Sequence, residues 1–278
     1  MLLLETTSVR DFLRAILPTE AHFPANSWTF RGQADACWGL TPSIRRQKSW
    51  EPFGGAERWG LMCEHGLVTS SESELRIAES MILRVLCEVI DRIGMDQTLR
   101  NGEDHLIAFA QHIGLPTRLL DWTRSPMVAA YFAASGAVRK LGDADGQLVV
   151  YGMSSLFLQN HPDEVARVSR LRVPGAGNPN MVAQQGEFIK VVEDIDLLSN
   201  IERHPIQIGT PLGRAEASRL SNHLIAITLP WTKAPQLLRT LRDQGIHAAT
   251  VFPGQTGVAE LVREVLLCQW RTRPSVPE

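Results

Sequence analysis

The stretch Gln111-His112-Ile113-Gly114-Leu115-Pro116-Thr117-Arg118-Leu119-Leu120-Asp121-Trp122-Thr123-Arg124-Ser125-Pro126-Met127-Val128-Ala129-Ala130-Tyr131-Phe132-Ala133 holds the end of one helix and the start of another. Gly114 and Pro116 stop a helical pattern that begins near Asp104, because glycine accepts the left-handed cap and proline cannot continue the hydrogen-bond ladder. Ser125 has the side chain of an N-cap. Pro126 follows at the first helical position, where its fixed φ is an advantage and its missing N–H costs nothing. From there to about Val138 the sequence is apolar on nearly every side, which predicts a central, buried helix.

Working outward, Ser71 to Ile93 carries a long helical period, with Leu75, Ala78, Ile82, Val85, Leu86, Val89 and Ile93 assigned to one face and Gly94 at its end. A shorter helix is expected where Ser8 and Asp11 cap Val9, Phe12, Leu13, Ile16 and Leu17, ended by Pro18. Trp28 to Gln33 reads as a strand, and Gln47 to Gly66 as an irregular connection. Beyond a turn at Gly142 to Gly146, β-rich runs are expected at Gln147 to Met153 and Ala183 to Val192. An Arg-rich loop or short helix is expected over Pro162 to Pro179. The apolar runs His223 to Leu229 and His247 to Phe252 are each followed by a helical pattern, Pro235 to Gln244 and Val258 to Cys268. Without a visible linker or repeat, this predicts an α+β chain over 1–278, a single domain with helices packed on a small mixed sheet.

The 278 residues are 44% hydrophobic and 21% charged, enough for a sizeable core, which excludes disorder as the main state. Lys plus Arg number 28 and Asp plus Glu 30, a net charge of −2, so no basic excess demands nucleic acid. Cys37, Cys63, Cys87 and Cys268 lie far apart, with neither zinc-ligand nor redox spacing, and read as reduced thiols. Glu5, Arg10 and Asp11 interrupt the N-terminal Leu run too early for a signal peptide, and Met127 to Val138 is too short to span a membrane. A cytoplasmic protein is the expectation. P-loop, dinucleotide-binding, nucleophile-elbow and H-E-x-x-H motifs do not occur.

Three polar islands interrupt this apolar sequence: Phe30-Arg31-Gly32-Gln33, the run from Gln111 to Thr123, and Ala183-Gln184-Gln185-Gly186-Glu187-Phe188. An arginine at a strand end beside a glycine can present its guanidinium fork to phosphate, the glycine letting a ligand approach the backbone. Alternatively, Arg31 pairs with a carboxylate such as Asp121. His112 sits where an imidazole caps helix carbonyls.

With Gly245 to Pro253, these islands resemble the FRG domain, named for its Phe-Arg-Gly motif, over about Thr7 to Cys268. Their order is also similar to the R-S-E class of ADP-ribosyltransferases, in which an Arg strand precedes an S-T-S strand leading into an A-x-x-F helix, and a [QE]-x-E turn follows. Arg31 matches the Arg, Ala129 to Phe132 the helix, and Gln185-Gly186-Glu187 the turn. Asp121-Trp122-Thr123 stands where S-T-S would, retaining one hydroxyl, Thr123. The resemblance implies an ADP-ribosyltransferase-like fold and an NAD-dependent mono-ADP-ribosyltransferase, a bacterial toxin or phage-defence effector with a nucleic acid or protein acceptor and a possible antitoxin or inhibitor partner.

Breaking the nicotinamide–ribose bond passes through an oxocarbenium-like state, which a carboxylate stabilises. On the resemblance, Glu187 is that carboxylate, Thr123 orients it, Gln185 positions the acceptor, and Arg31, with Gly32, Gln33 and Asp121, binds NAD. Phe188 or Tyr131 would supply an aromatic wall. Two other readings are a non-catalytic FRG binding module anchored by Arg31, and a metal-independent nucleic-acid hydrolase using His112 and Asp121 with Arg118 at the phosphate. Arg167, Arg170 and Arg172 would approach phosphates in either the transferase or the hydrolase.

Overall fold

The alanine-rich helix that follows Ser125 organises the structure, a computed structural model that describes residues 2–17, 28–95, 102–140, 145–154, 168–171, 179–191 and 224–270. In chain order the strands are β1 (Leu2–Glu5), β2 (Trp28–Gln33), β3 (Cys63–Glu64), β4 (Leu67–Val68), β5 (Leu119–Thr123), β6 (Gln147–Ser154), β7 (Val168–Leu171), β8 (Gly186–Val191) and β9 (Leu224–Pro230). The helices are α1 (Val9–Ile16), α2 (Glu72–Ile93), α3 (Glu103–His112), α4 (Pro126–Lys140), α5 (Pro179–Ala183), α6 (Ala234–Asp243), α7 (Ala248–Val251) and α8 (Gln255–Trp270). Seven strands form one mixed sheet, ordered β1-β9-β6-β2-β5-β8-β7, in which only β1 and β9 run parallel; β3 and β4 form a separate hairpin. The α+β architecture expected from the sequence is present, on a broader sheet than anticipated.

One face of the sheet packs against α1, α4, α6 and α8 through Phe12, Phe30, Ala129, Val150, Ile227 and Leu237. A second cluster joins α2 and α3 to Leu119 and Phe188, and a third lies on the opposite face, around Leu120, Trp122, Tyr151 and Ile189. The caps at Ser8 and Ser125 are those read from the sequence; the capping box at Ser71 is a feature of the structure. Ser8 accepts from Asp11 N, Ser71 and Glu74 form a reciprocal capping box, and Ser125 Oγ accepts from Val128 N at 3.3 Å.

Several boundaries differ for identifiable reasons. On α2 the buried residues include Leu75, Ala78, Ile82, Leu86 and Ile90, whereas Val85, Val89 and Ile93 are exposed. At about 100° per residue all three lie on or at the edge of the same stripe, so their exposure is set by where other elements cover α2 and not by the helical period. The Leu run at the N-terminus is an edge strand paired parallel with β9, and the last apolar run, His247 to Phe252, takes no place in the sheet. That run forms the short helix α7 instead of extending, closed by a bond from His247 N to Thr250 Oγ1 at 3.0 Å. The third island begins as helix α5 and turns at Gln184 and Gln185 before β8. Of the Arg-rich stretch, Val168–Leu171 is strand β7; Arg167 and Arg172 lie outside the described residues, as does most of the Gly142 to Gly146 turn. The Gln47 to Gly66 connection wraps a buried Trp50, whose Nε1 donates to Ile44 O at 2.9 Å.

Helix α4 lies almost in contact with the backbone of β2. A Cβ added to Gly32 would stand 1.8 Å from Ala129 O, and one added to Gly136 would stand 2.8 Å from Ala34 Cβ. Gly32 is therefore required by the helix packed on it. The Gly32→Ala variant should lose about 1–3 kcal/mol of stability as α4 is pushed off the sheet, measured by urea unfolding, whereas an alanine at the exposed α2 position Arg84 should shift it by less than about 0.5 kcal/mol.

Candidate active site

Strands β2 and β5 are neighbours that barely pair. Phe30 and Thr123 are their only register partners; further along, Arg31, Gly32 and Gln33 pair only with β6, while Leu120 and Asp121 pair only with β8. The sheet opens at this seam into a cleft of about 1320 Å³. The first two islands and part of the third converge there, because β2, β5 and β8 are consecutive in the sheet.

Arg31 spans the seam. Its Nη1 donates to the Asp121 backbone O at 2.6 Å and lies 3.8 Å from the Asp121 carboxylate. With its amide turned to satisfy both ends, Gln33 accepts from Arg31 Nε at 3.3 Å and donates to Trp38 O at 3.1 Å. Burial lowers the Arg31 pKa from 12.5 to about 10, against the pull of Asp121 and reinforced by the like charge of Arg46. The Arg31–Asp121 pairing considered from sequence therefore exists, but as a loose contact.

Asp121 is held from the other side by Gln111, whose Nε2 donates to Oδ2 at 3.0 Å. Gln111 is itself fixed by the Thr117 hydroxyl, which donates to its Oε1 at 2.5 Å. The Asp121 side chain remains 62% exposed and aimed at the cleft. Thr123 uses its hydroxyl on the backbone, donating to Gln184 O at 2.6 Å and accepting from Ser125 N at 3.0 Å. It thus ties the Gln184–Gln185 turn to the start of α4. Gln184 adds a bond from Nε2 to Val251 O at 3.2 Å.

Glu187 is placed elsewhere. It is in register with Trp122, not with Asp121 or Thr123, so Trp122 stands between it and the seam. It is 2% exposed, and Arg170 Nη2 donates to its Oε1 at 2.9 Å. Glu187 and Gln185 do not line the cleft, whereas Arg31, Gly32, Gln33, His112, Asp121, Thr123 and Phe188 do. Gln185 is exposed, with φ +49°, in the left-handed region rarely used by non-glycine residues. Phe188 is mostly core. Tyr131 is fully so, donating to Glu264 at 2.7 Å, with burial pushing its pKa well up. The aromatic side chains that line the cleft include Trp38, Phe132 and Phe252, the two phenylalanines being edge to face at 5.8 Å.

Arg118 turns away from the cleft. Its backbone N and Nε donate to the buried Glu79 carboxylate at 2.9 and 2.5 Å, and Nη2 closes the pair. That separates Arg118 from the His112–Asp121 cluster of the hydrolase reading. Sequence reasoning singled out neither Arg46, whose Nε and Nη2 donate to Thr41 O at 2.9 and 2.7 Å, nor Lys48 and Lys140 at the rim. Arg46 sits just before the irregular connection, after the turn Ser43–Arg45, where no period marks which residues face inward. Gln111 was visible only as part of its island. Among the described residues no cluster of His, Cys, Asp or Glu is placed to hold a metal ion, and no helix is long and apolar enough to cross a membrane.

Fold and cleft together define an α+β protein whose Phe-Arg-Gly strand forms one lip of a split sheet. Residues 26–140 match the family model of the FRG domain, and over this region the chain is similar to that family. The match contains the first two islands and ends with α4; β8 lies beyond it. No curated protein and no solved structure matches the chain.

Removing the Glu79 charge should destabilise the fold more than it alters the cleft. Glu79→Gln leaves the Arg118 guanidinium buried without its counter-charge and should cost about 3–5 kcal/mol in urea unfolding. The double variant Glu79→Gln, Arg118→Met should recover much of that loss.

Proposed function

We propose that the cleft binds NAD and transfers ADP-ribose from it to a nucleic acid or protein acceptor. The observation that carries this reading is the split between β2 and β5. It sets a buried cation, Arg31, and a cleft-facing carboxylate, Asp121, on opposite lips of a cavity large enough for a dinucleotide, while the three motif strands lie side by side. Arg31 would take the NAD phosphates. Phe132 and Phe252 offer an edge-to-face wall for the nicotinamide ring.

In the reaction the C1′–N bond of the nicotinamide ribose breaks and its electron pair goes to the nicotinamide nitrogen. The acceptor nucleophile then forms the new bond to C1′ and gives its proton to water. Positive charge develops on the ribose between those events, and a carboxylate held in place beforehand stabilises it without reorganising. In this reading Asp121 takes that role, supported by its bond from Gln111 and its position on the cleft wall. Glu187, in contact with Arg170 and screened by Trp122, is assigned to supporting β8. A toxin or defence role, with an inhibitor protein restraining the enzyme, is compatible with this chemistry.

The test measures nicotinamide release and transfer of label from NAD. Asp121→Asn should lower the rate at least about 100-fold with an unchanged melting temperature. Glu187→Gln should act chiefly on stability. An unchanged rate in Asp121→Asn removes the carboxylate role from this residue, and a folded Glu187→Gln protein without activity returns that role to Glu187. Saturable NAD binding with no nicotinamide release makes the cleft a binding module.

A further inference from the structure

The cleft contains a second arginine that the reading above does not use. Arg46 follows the turn Ser43–Arg45, its backbone held extended by a bridge to Leu67 of the β3–β4 hairpin. Two of its guanidinium nitrogens are spent on Thr41 O, leaving Nη1 without a hydrogen bond among the described residues. Arg31 is in the corresponding state: Nη1 is committed to Asp121 O and Nε to Gln33, and Nη2 is uncommitted. Both side chains line the same cleft, and each charge is felt by Asp121.

The balance of charge at this place is uneven. Two guanidinium groups that line the opening share one carboxylate that is largely solvent-exposed and lies 3.8 Å from Arg31. Burial disfavours both cations, and their mutual repulsion adds to the cost for Arg31. A fold that keeps two partly desolvated cations beside one loose anion has room for more negative charge. The backbone acceptors that hold the two arginines also aim them in advance, so little side-chain freedom remains to be lost on binding.

We propose that Arg31 and Arg46 form a two-pronged clamp for the diphosphate of a small nucleotide, one guanidinium to each phosphate. The assignment rests on the transferase reading only in taking NAD as the natural diphosphate; the clamp itself follows from the cleft. Planar forks suit phosphate oxygens better than the point charge of lysine does. Their recessed position favours a compact diphosphate over a polynucleotide backbone, which tracks along exposed basic grooves.

Isothermal titration of the full chain with inorganic pyrophosphate, ADP, adenosine and a short single-stranded oligonucleotide tests this. Pyrophosphate and ADP should bind and adenosine should bind at least tenfold more weakly than ADP. Arg46→Gln should weaken ADP at least tenfold. Arg46→Lys keeps the charge and can still donate to Thr41 O, which guards against loss of the loop; it should fold with the wild-type melting temperature and still bind ADP several-fold more weakly. Wild-type ADP affinity in folded Arg46→Gln or Arg46→Lys overturns the clamp. So does an oligonucleotide that binds more tightly than ADP and depends on Arg46. The two proposals fail separately: Arg46-dependent ADP binding without nicotinamide release from NAD sinks the transferase and leaves the clamp, whereas turnover with ADP binding indifferent to Arg46 does the reverse.

Discussion

The close approach of α4 to β2 is the constraint from which the rest of the molecule follows. A helix can lie this near a strand only where side chains are missing, and Gly32, Gly136 and the alanines at 129, 130, 133 and 134 remove them. The gain is a tightly filled centre in which the buried alanines of α4 touch sheet backbone, with dispersion contacts that a bulkier helix would hold at a distance. Because Ser125 caps α4 directly after β5, fixing the helix on β2 also fixes where β5 ends. Phe30 and Thr123 meet at that end, and the two strands part from there.

The parting of β2 and β5 leaves polar groups that a continuous ladder would have satisfied. Arg31 takes up one of them, the Asp121 carbonyl, so the same bond that repairs the opening also sets a cation inside it. Gln111 and Thr117 hold the other lip, and Thr123 fastens the Gln184–Gln185 turn below. Polar groups in such a network are costly when left unpartnered, and here the partners are the Asp121 and Gln184 carbonyls together with the side chains of Gln111 and Asp121. The cleft and its charge arrangement are in that sense a single feature.

How far the site was legible depended on whether a local rule governed each residue. Arg31, Asp121 and Thr123 could be singled out because polar residues interrupt apolar strands there, and all three border the cleft. Glu187 stood out equally, as a carboxylate in a short motif, yet side chains alternate along a strand, and the register Trp122 with Glu187 put it beside Arg170 instead of in the opening. Arg118 looked like a phosphate ligand and is an anchor for a buried glutamate 39 residues earlier. Arg46 carried no signal, since it lies in an irregular segment positioned by a hairpin bridge and one carbonyl.

The sequence by itself determined the elements governed by short-range rules. These are the caps at Ser8 and Ser125, the stops at Gly94 and Gly114, the strand Trp28–Gln33, the all-round apolar character of α4 and the grouping of chemistry into three islands. Only the tertiary structure decided the rest: that the N-terminal leucines pair with β9, that His247 to Phe252 becomes helical, that the islands meet at a split sheet, and which carboxylate faces it. Strand order and register are set by contacts between residues far apart in the chain, through helix packing and loop closure, and a shift of one residue in register changes which side chains face the cleft.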